Sequence, residues 1–303
     1  MKPIILIHGG AGPNSDFIRN NIEAYKCGLR DALATAYRIL ESNGSALDAV
    51  EAAVRNLEDN PLFNSGRGSA LTEEGRVEMC ASIMDGNSKE SGAVAIVTGV
   101  RHPISLARKI LHEKNTAYLG AHGAEKFAER VGIELKPDEW FISHYQKEVF
   151  DKNIREQKEA SGHGTVGAVA VDMFGNIAAA TSTGGLDFCR SGRIADSSMI
   201  GVGCYADNKT CAVSCTGDGE LIMKTVLGHS IVSEVKYTGL SLSICADHII
   251  HGDNEELEGD LGAIVINASG DYAFSFNTER MHRGIQREGF MEVYIYQKEN
   301  TNE

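Results

Sequence analysis

No stretch of this chain reaches the roughly 18 consecutive apolar residues that a membrane span needs, and the run Ile4-Ile5-Leu6-Ile7 is too short for the apolar centre of a secretory signal. Basic residues are also in deficit, with 29 Lys and Arg against 42 Asp and Glu and a net charge of -13. Nucleic acids and anionic membranes both need concentrated positive charge, so neither is expected as a partner. The seven cysteines (Cys27, Cys80, Cys189, Cys204, Cys211, Cys215 and Cys245) include no Cys-x-x-Cys pair and no histidine at zinc-ligand spacing. They read as reduced, partly buried thiols, which fits a cytoplasmic protein. The glycine run Gly9-Gly10-Ala11-Gly12 lacks both the G-x-G-x-x-G pattern and the Lys-Ser/Thr pair of a phosphate loop, so nucleotide binding is not expected.

What the chain does have is 303 residues with 42% apolar content, enough for a sizeable core in one large domain or two. Ile4 to His8 reads as a buried strand ending in the glycine turn, with His8 as a structural end-of-strand residue. A helix is expected from about Ile18 to Leu40. A second opens at Ser45 with Asp48 three residues on, a capping-box variant, and buries Leu47, Val50, Val54 and Leu57 at helical spacing. A strand over Ala93 to Val97 and helices over Ile104 to His112 and Gly123 to Val131 follow. From Glu134 to Gly164 the periodicity fails among crowded charges, as in an exposed or disordered tail. Thr165 to Asp172 and Ile177 to Thr183 then read as a hairpin about Phe174-Gly175-Asn176. Further strands are expected at Ala212 to Cys215, Ala263 to Asn267, Tyr272 to Phe276 and Glu292 to Tyr296, with helices near Glu220 to Val235 and Leu240 to Ile250. Strands and helices in blocks with antiparallel hairpins suggest sheets sandwiched by helices.

Chemistry concentrates at Gly164-Thr165-Val166-Gly167, where a lone hydroxyl follows a glycine at the start of a strand. Cutting before Thr165 would expose an α-amine of pKa roughly 7.7 to 8.0 next to the residue's own hydroxyl, an activated nucleophile with a built-in base. The alternative is an ordinary buried strand, since threonine and valine favour strands. The hairpin places Thr183 beside Thr165. Downstream, Arg193 and Asp196 precede Thr216-Gly217-Asp218-Gly219-Glu220, a strand-to-helix junction offering a hydroxyl and unpaired N–H groups, the materials of an oxyanion hole.

His8-Gly9-Gly10-Ala11-Gly12, Asn60 to Gly66, Ala81 to Gly86, Gly164 to Gly167, Thr181 to Gly185, Gly192-Arg193 with Asp196-Ser197, Tyr205 to Asn208 and Thr216-Gly217 with Gly219-Glu220 together resemble the plant-type asparaginase/isoaspartyl peptidase family of N-terminal nucleophile hydrolases. The match runs in order over almost the whole chain, and Phe276 to Glu279 with Arg283-Gly284 is similar to the bacterial isoaspartyl peptidase branch. The resemblance implies a four-layer αββα sandwich with two mainly antiparallel sheets. It implies a precursor that cuts itself into an α subunit (1–164) and a β subunit (165–303), assembled as (αβ)2. Thr165 would attack the side-chain amide of asparagine or the β-linked carbonyl of an isoaspartyl dipeptide. Thr183 would hold the nucleophile, Thr216 and the Gly217 N–H would stabilise the oxyanion, and Arg193, Asp196 and the carbonyl of Gly219 would hold the free amino-acid head group. No cofactor is implied beyond a structural sodium ion on backbone carbonyls of Leu57, Glu58, Asn60, Phe63, Ser65 and Arg67. Two departures stand out: Leu186 to Ser191 replaces a more polar loop bordering the substrate site, and Cys80 stands where relatives often carry aspartate. A glycosylasparaginase-like hydrolase is a second reading, disfavoured by Gly164 where that branch commonly has aspartate. An uncut, non-catalytic binding protein is a third.

Overall fold

A computed structural model describes residues 2–156, 164–253 and 257–297. In chain order the elements are β1 (Ile4–Gly12), α1 (Asp16–Asn20), α2 (Ile22–Glu41), α3 (Ala46–Asp59), β2 (Met79–Asp85), β3 (Ser91–Val97), α4 (Pro103–Ile110), β4 (Tyr118–Gly120), α5 (Ala121–Arg130), α6 (Asp138–Phe141), α7 (His144–Glu156), β5 (Val166–Val171) and β6 (Ile177–Thr183). There follow β7 (Cys204–Ala206), β8 (Cys211–Gly217), α8 (Gly219–Thr225), α9 (Leu227–Thr238), α10 (Leu242–Asp247), β9 (Leu261–Asn267), β10 (Tyr272–Phe276), β11 (Arg280–Arg287) and β12 (Phe290–Tyr296).

The strands form an eight-stranded sheet of order β12-β11-β1-β5-β6-β2-β3-β4 and a four-stranded sheet of order β10-β9-β8-β7. Every pairing is antiparallel except β3 with β4. Strand alternation sends one face of the large sheet to α2, α3 and α4, where Ile5, Ile7, Ala168 and Ala180 meet Leu29, Leu33, Val50 and Val54. The other face, with Leu6, Val169 and Ala179, packs against Ala212, Ile264 and Ile266 of the small sheet. The far side of the small sheet buries Val213, Ala263 and Val265 with Leu221, Ile231, Val232 and Ala246 of the later helices.

Helix α3 starts as its sequence dictates, with Ser45 accepting from the Asp48 N–H at 3.1 Å. Several boundaries differ from the sequence pattern. The first glycines do not end β1: the strand runs on to Gly12, with its register shifted between His8 and Ala11. Its pairing continues because β11 supplies partners beyond the irregularity. The first long helix is split at Asn21, whose side chain turns back to the Phe17 carbonyl at 2.8 Å. The helix expected over Glu220 to Val235 breaks at Val226, held at φ 48°. Within the charged stretch read as lacking structure, α6 and α7 form and bury Phe141, Gln146 and Asn153. Residues 157–163 of that stretch lie outside the described residues. Strands β2, β4, β7 and β11 carry no sequence expectation above. Among the described residues no helix is long and apolar enough to cross a membrane, and all seven cysteines are free thiols, six of them buried.

Candidate active site

The register of the β5–β6 hairpin pairs Val166 with Ser182, so Thr165 and Thr183 face each other at its open end. Thr165 is only 4% exposed. The chain is described uncut, and the carbonyl oxygen of Gly164 accepts hydrogen bonds from Thr183 Oγ1 at 2.8 Å and Asn64 Nδ2 at 2.9 Å. Two donors on one carbonyl draw electron density from its carbon, the atom that the Thr165 hydroxyl would attack. The Asn64 amide is locked in orientation: Nδ2 also reaches the Gly185 carbonyl at 2.7 Å, and Oδ1 accepts from the Ala70 N–H at 2.7 Å.

Strand β1 presses its backbone against this bond. A Cβ on Gly10, whose φ is +108°, would come within 3.2 Å of Gly164 Cα and 3.4 Å of Thr165 N. Only glycine tolerates both that dihedral and that approach. His8 is not an end-of-strand residue but lies inside β1, fully buried, with Nδ1 3.0 Å from the Thr165 carbonyl and Nε2 2.8 Å from Ser214 Oγ. A carbonyl only accepts, so Nδ1 carries the proton. Burial, opposed by that hydrogen bond, lowers the imidazole to about 3, so His8 is neutral and holds the Thr165 backbone rather than exchanging protons.

The proposed oxyanion donors stand at the C-terminal end of β8. Thr216 is buried, and its oxygen accepts from the Ala11 N–H at 3.1 Å, which leaves its own O–H free to donate elsewhere. Because Gly10 packs against Gly164 and Ala11 bonds to Thr216, these two neighbouring residues of β1 link the Gly164–Thr165 bond to Thr216. Gly217 adopts φ +134°, and a Cβ there would lie 2.1 Å from the Asp260 carbonyl. Asp218 next caps α8, accepting from the N–H groups of Glu220 and Leu221.

Arg193 and Asp196, expected to hold the substrate head group, converge on the start of α8. A Cβ on Gly219 would sit 2.8 Å from both Arg193 Nη2 and Asp196 Oδ1, so the missing side chain is what admits them. Asp196 is 3% exposed with Oδ2 unpartnered, and burial, opposed by Arg193, pushes its carboxyl up to about 7. Arg193 is not bonded to Asp196; its Nε and Nη2 hold Glu220 Oε1 and Oε2 at 2.7 and 2.8 Å. The fork is therefore shaped for a carboxylate, and one from the chain itself occupies it. Neither Asn64 nor Glu220 was singled out by sequence, although both lie inside the quoted motifs.

The end of α3 and the loop that follows brace this site from below. The Glu58 carboxylate is buried and accepts from Ser182 Oγ at 2.6 Å and the Ile104 N–H at 3.1 Å. Ser65 Oγ lies 2.8 Å from the same Ser182 hydroxyl, next to Thr183. The Arg67 N–H closes the loop on the Glu58 carbonyl at 2.7 Å. Carbonyls of Leu57, Asn60 and Phe63 each accept one N–H as well. A carbonyl has two lone pairs, so each retains one. Cys80 is buried, and its thiol is raised by burial, as its packing position suggests.

The sequence has relatives among known proteins. A family model described as asparaginase matches residues 1–295. An isoaspartyl peptidase/L-asparaginase of Xenopus laevis is 40% identical over 306 aligned positions, covering 99% of this chain and 97% of that protein. A probable isoaspartyl peptidase/L-asparaginase 2 of Arabidopsis thaliana is 40% identical, with 97% and 98% covered. The isoaspartyl peptidase of Escherichia coli (strain K12) is 39% identical, with 93% and 92% covered.

Proposed function

The chain belongs to the asparaginase family, and from that premise we propose that it is an isoaspartyl peptidase/L-asparaginase that activates itself by cutting before Thr165. The observation that carries this reading is the paired grip of Asn64 and Thr183 on the Gly164 carbonyl. The Thr165 hydroxyl attacks that carbon, and the two donors hold the oxyanion. The C–N bond then breaks, its nitrogen takes up a proton, and an ester links Gly164 to Thr165 Oγ1. Water hydrolyses the ester, leaving a carboxylate on Gly164 and a free α-amine on Thr165.

That amine is the base for the second reaction. The α-carboxylate of a β-aspartyl substrate displaces Glu220 from Arg193, while its α-ammonium meets Asp196 and the Gly219 carbonyl. The Thr165 hydroxyl, giving its proton to the amine, attacks the β-carbonyl. Thr216 O–H and Gly217 N–H hold the new oxyanion, each donor supplying about 3 to 4 kcal/mol by analogy with other hydrolases. The protonated amine hands its proton to the departing ammonia or amino acid. Water then releases L-aspartate and restores Thr165.

In this reading the residues sort into the four-layer αββα arrangement of N-terminal nucleophile hydrolases, cut into 1–164 and 165–303, paired as (αβ)2 and working in the cytoplasm. A sodium ion fits the remaining carbonyl lone pairs of the 57–67 loop, a hard-oxygen set; bound there it would stiffen the loop beneath Ser182. Intact mass with N-terminal sequencing of purified protein, together with ammonia release from asparagine and cleavage of β-Asp-Leu, tests the proposal. The expected N-terminus of the second fragment is Thr165, and Thr165→Ala stays whole and inactive. A fully active, uncut Thr165→Ala protein would end the reading.

A further inference from the structure

Gly164 forms part of the wall of a cavity of about 180 Å³ that is also lined by Asn64, Tyr145, Gln146, Asp187 and Arg280. Three polar groups around it are unmatched. Arg280 is 6% exposed; its Nε serves the Pro13 carbonyl at 3.0 Å and its Nη1 faces His282 Nδ1 at 3.3 Å, and among the described residues no carboxylate pairs with it. Gln146, 8% exposed, spends Nε2 on the Gly68 carbonyl at 3.2 Å and leaves Oε1 buried without a partner. Asp187 has no hydrogen bond or ion pair among the described residues, and burial raises its carboxyl to about 6, leaving it mostly ionised at pH 7 and above. A buried cation and an unpaired acid around one space are costly unless something brings an anion and a donor to them.

The position of the cavity says what that is. In the matured protein the Thr165 amine protonates the leaving nitrogen of the substrate, so the leaving group must lie against that amine. In the uncut chain the same nitrogen carries Gly164, and Gly164 borders the cavity. We propose that the cavity is the subsite for the leaving residue of a β-aspartyl dipeptide, with Arg280 taking its terminal carboxylate and Asp187 taking a cationic side chain. This rests on the hydrolase reading above. Ammonia, the leaving group of asparagine, is too small to reach any of the three.

The test compares kcat/KM of matured protein for asparagine, β-Asp-Lys, β-Asp-Leu and the C-terminal amide of β-Asp-Lys. Amidation is expected to cost the wild type at least about tenfold, the loss of one charge-assisted pair. Arg280→Gln should erase the preference for acid over amide and lower the ratio of β-Asp-Lys to asparagine by at least about tenfold, with Arg280→Lys in between. Asp187→Asn should narrow the preference for β-Asp-Lys over β-Asp-Leu. Should Arg280→Gln fail to mature, the wild-type comparison of acid with amide and the Arg280→Lys variant decide. Equal turnover of acid and amide by a wild type that hydrolyses asparagine would overturn the subsite alone. Absence of turnover on every β-aspartyl compound would overturn the hydrolase reading as well.

Discussion

Replacing Thr183 by valine removes one hydroxyl from the Gly164 carbonyl while keeping the shape of the side chain. In the uncut chain that hydroxyl donates at 2.8 Å, and its oxygen also accepts from the Gly185 N–H at 3.2 Å. Losing a single oxyanion donor costs about 3 to 4 kcal/mol of transition-state stabilisation, so self-cleavage should slow by about 100- to 1,000-fold. Asn64 Nδ2 remains at 2.9 Å, which is why a residual rate is expected rather than none. Leaving the Gly185 N–H without its acceptor should cost stability by only about 1 to 3 kcal/mol. The assay follows conversion of freshly purified precursor to its two fragments by intact mass, with thermal melting of each variant recorded in parallel. Thr183→Ser, which keeps the donor, should mature at close to the wild-type rate. A folded Thr183→Val precursor that matures within about threefold of wild type would refute the polarised-carbonyl argument, because threefold is below 1 kcal/mol.

Because burial holds the Asp196 carboxyl up at about 7, kcat/KM should fall roughly tenfold per pH unit below that value as the ammonium loses its partner; an acid limb insensitive to Asp196→Asn would contradict this. The same raised carboxyl means that the folded state binds more protons than the unfolded between the ordinary carboxylate range and about 7, so its contribution weakens stability as pH rises through that window and is level above it. Melting temperatures at pH 5 and pH 8 should therefore show a smaller downward step with pH in Asp196→Asn than in wild type. Glu220→Gln should lower the KM for asparagine by up to about fivefold, the worth of a half-exposed ion pair that the substrate no longer displaces; a raised KM would mean that Glu220 positions Arg193 rather than competing for it. Gly217→Ala places a Cβ 2.1 Å from the Asp260 carbonyl, so both the melting temperature and turnover should fall, and an unchanged variant would refute the tight fit at the oxyanion position.

The hairpin that carries Thr165 and Thr183 was legible because its signals are local: apolar strands on either side of Phe174-Gly175-Asn176 leave few alternatives, and β5 and β6 pair as expected. Helix α3 was equally plain from its Ser45 cap and its buried stripe. Strand β11 was not, since Arg280, His282 and Arg283 interrupt any apolar strand pattern yet are all at least nine-tenths buried between β1 and β12. Burial of polar residues depends on partners far along the chain, and periodicity does not record them. Val226 at φ 48° is another such case, because the backbone position of a β-branched residue there is set by the packing of α8 against α9.

By itself the sequence determined the type of chemistry: a threonine behind a glycine, a hydroxyl-glycine junction and an Arg-Asp pair, with no cofactor motif. Covalent identity settles which groups exist and how acidic they are at rest. Only the tertiary structure decided what each group touches. It gave the Gly164 carbonyl to Asn64 and Thr183, which are 100 and 19 residues away. It put Glu220 in the grip of Arg193, and it left Arg280, Gln146 and Asp187 facing one cavity without matching partners. Hydrogen bonds act over about 3 Å, whereas the chain separations involved are tens to hundreds of residues, so these assignments come into being only when the two sheets close over β1.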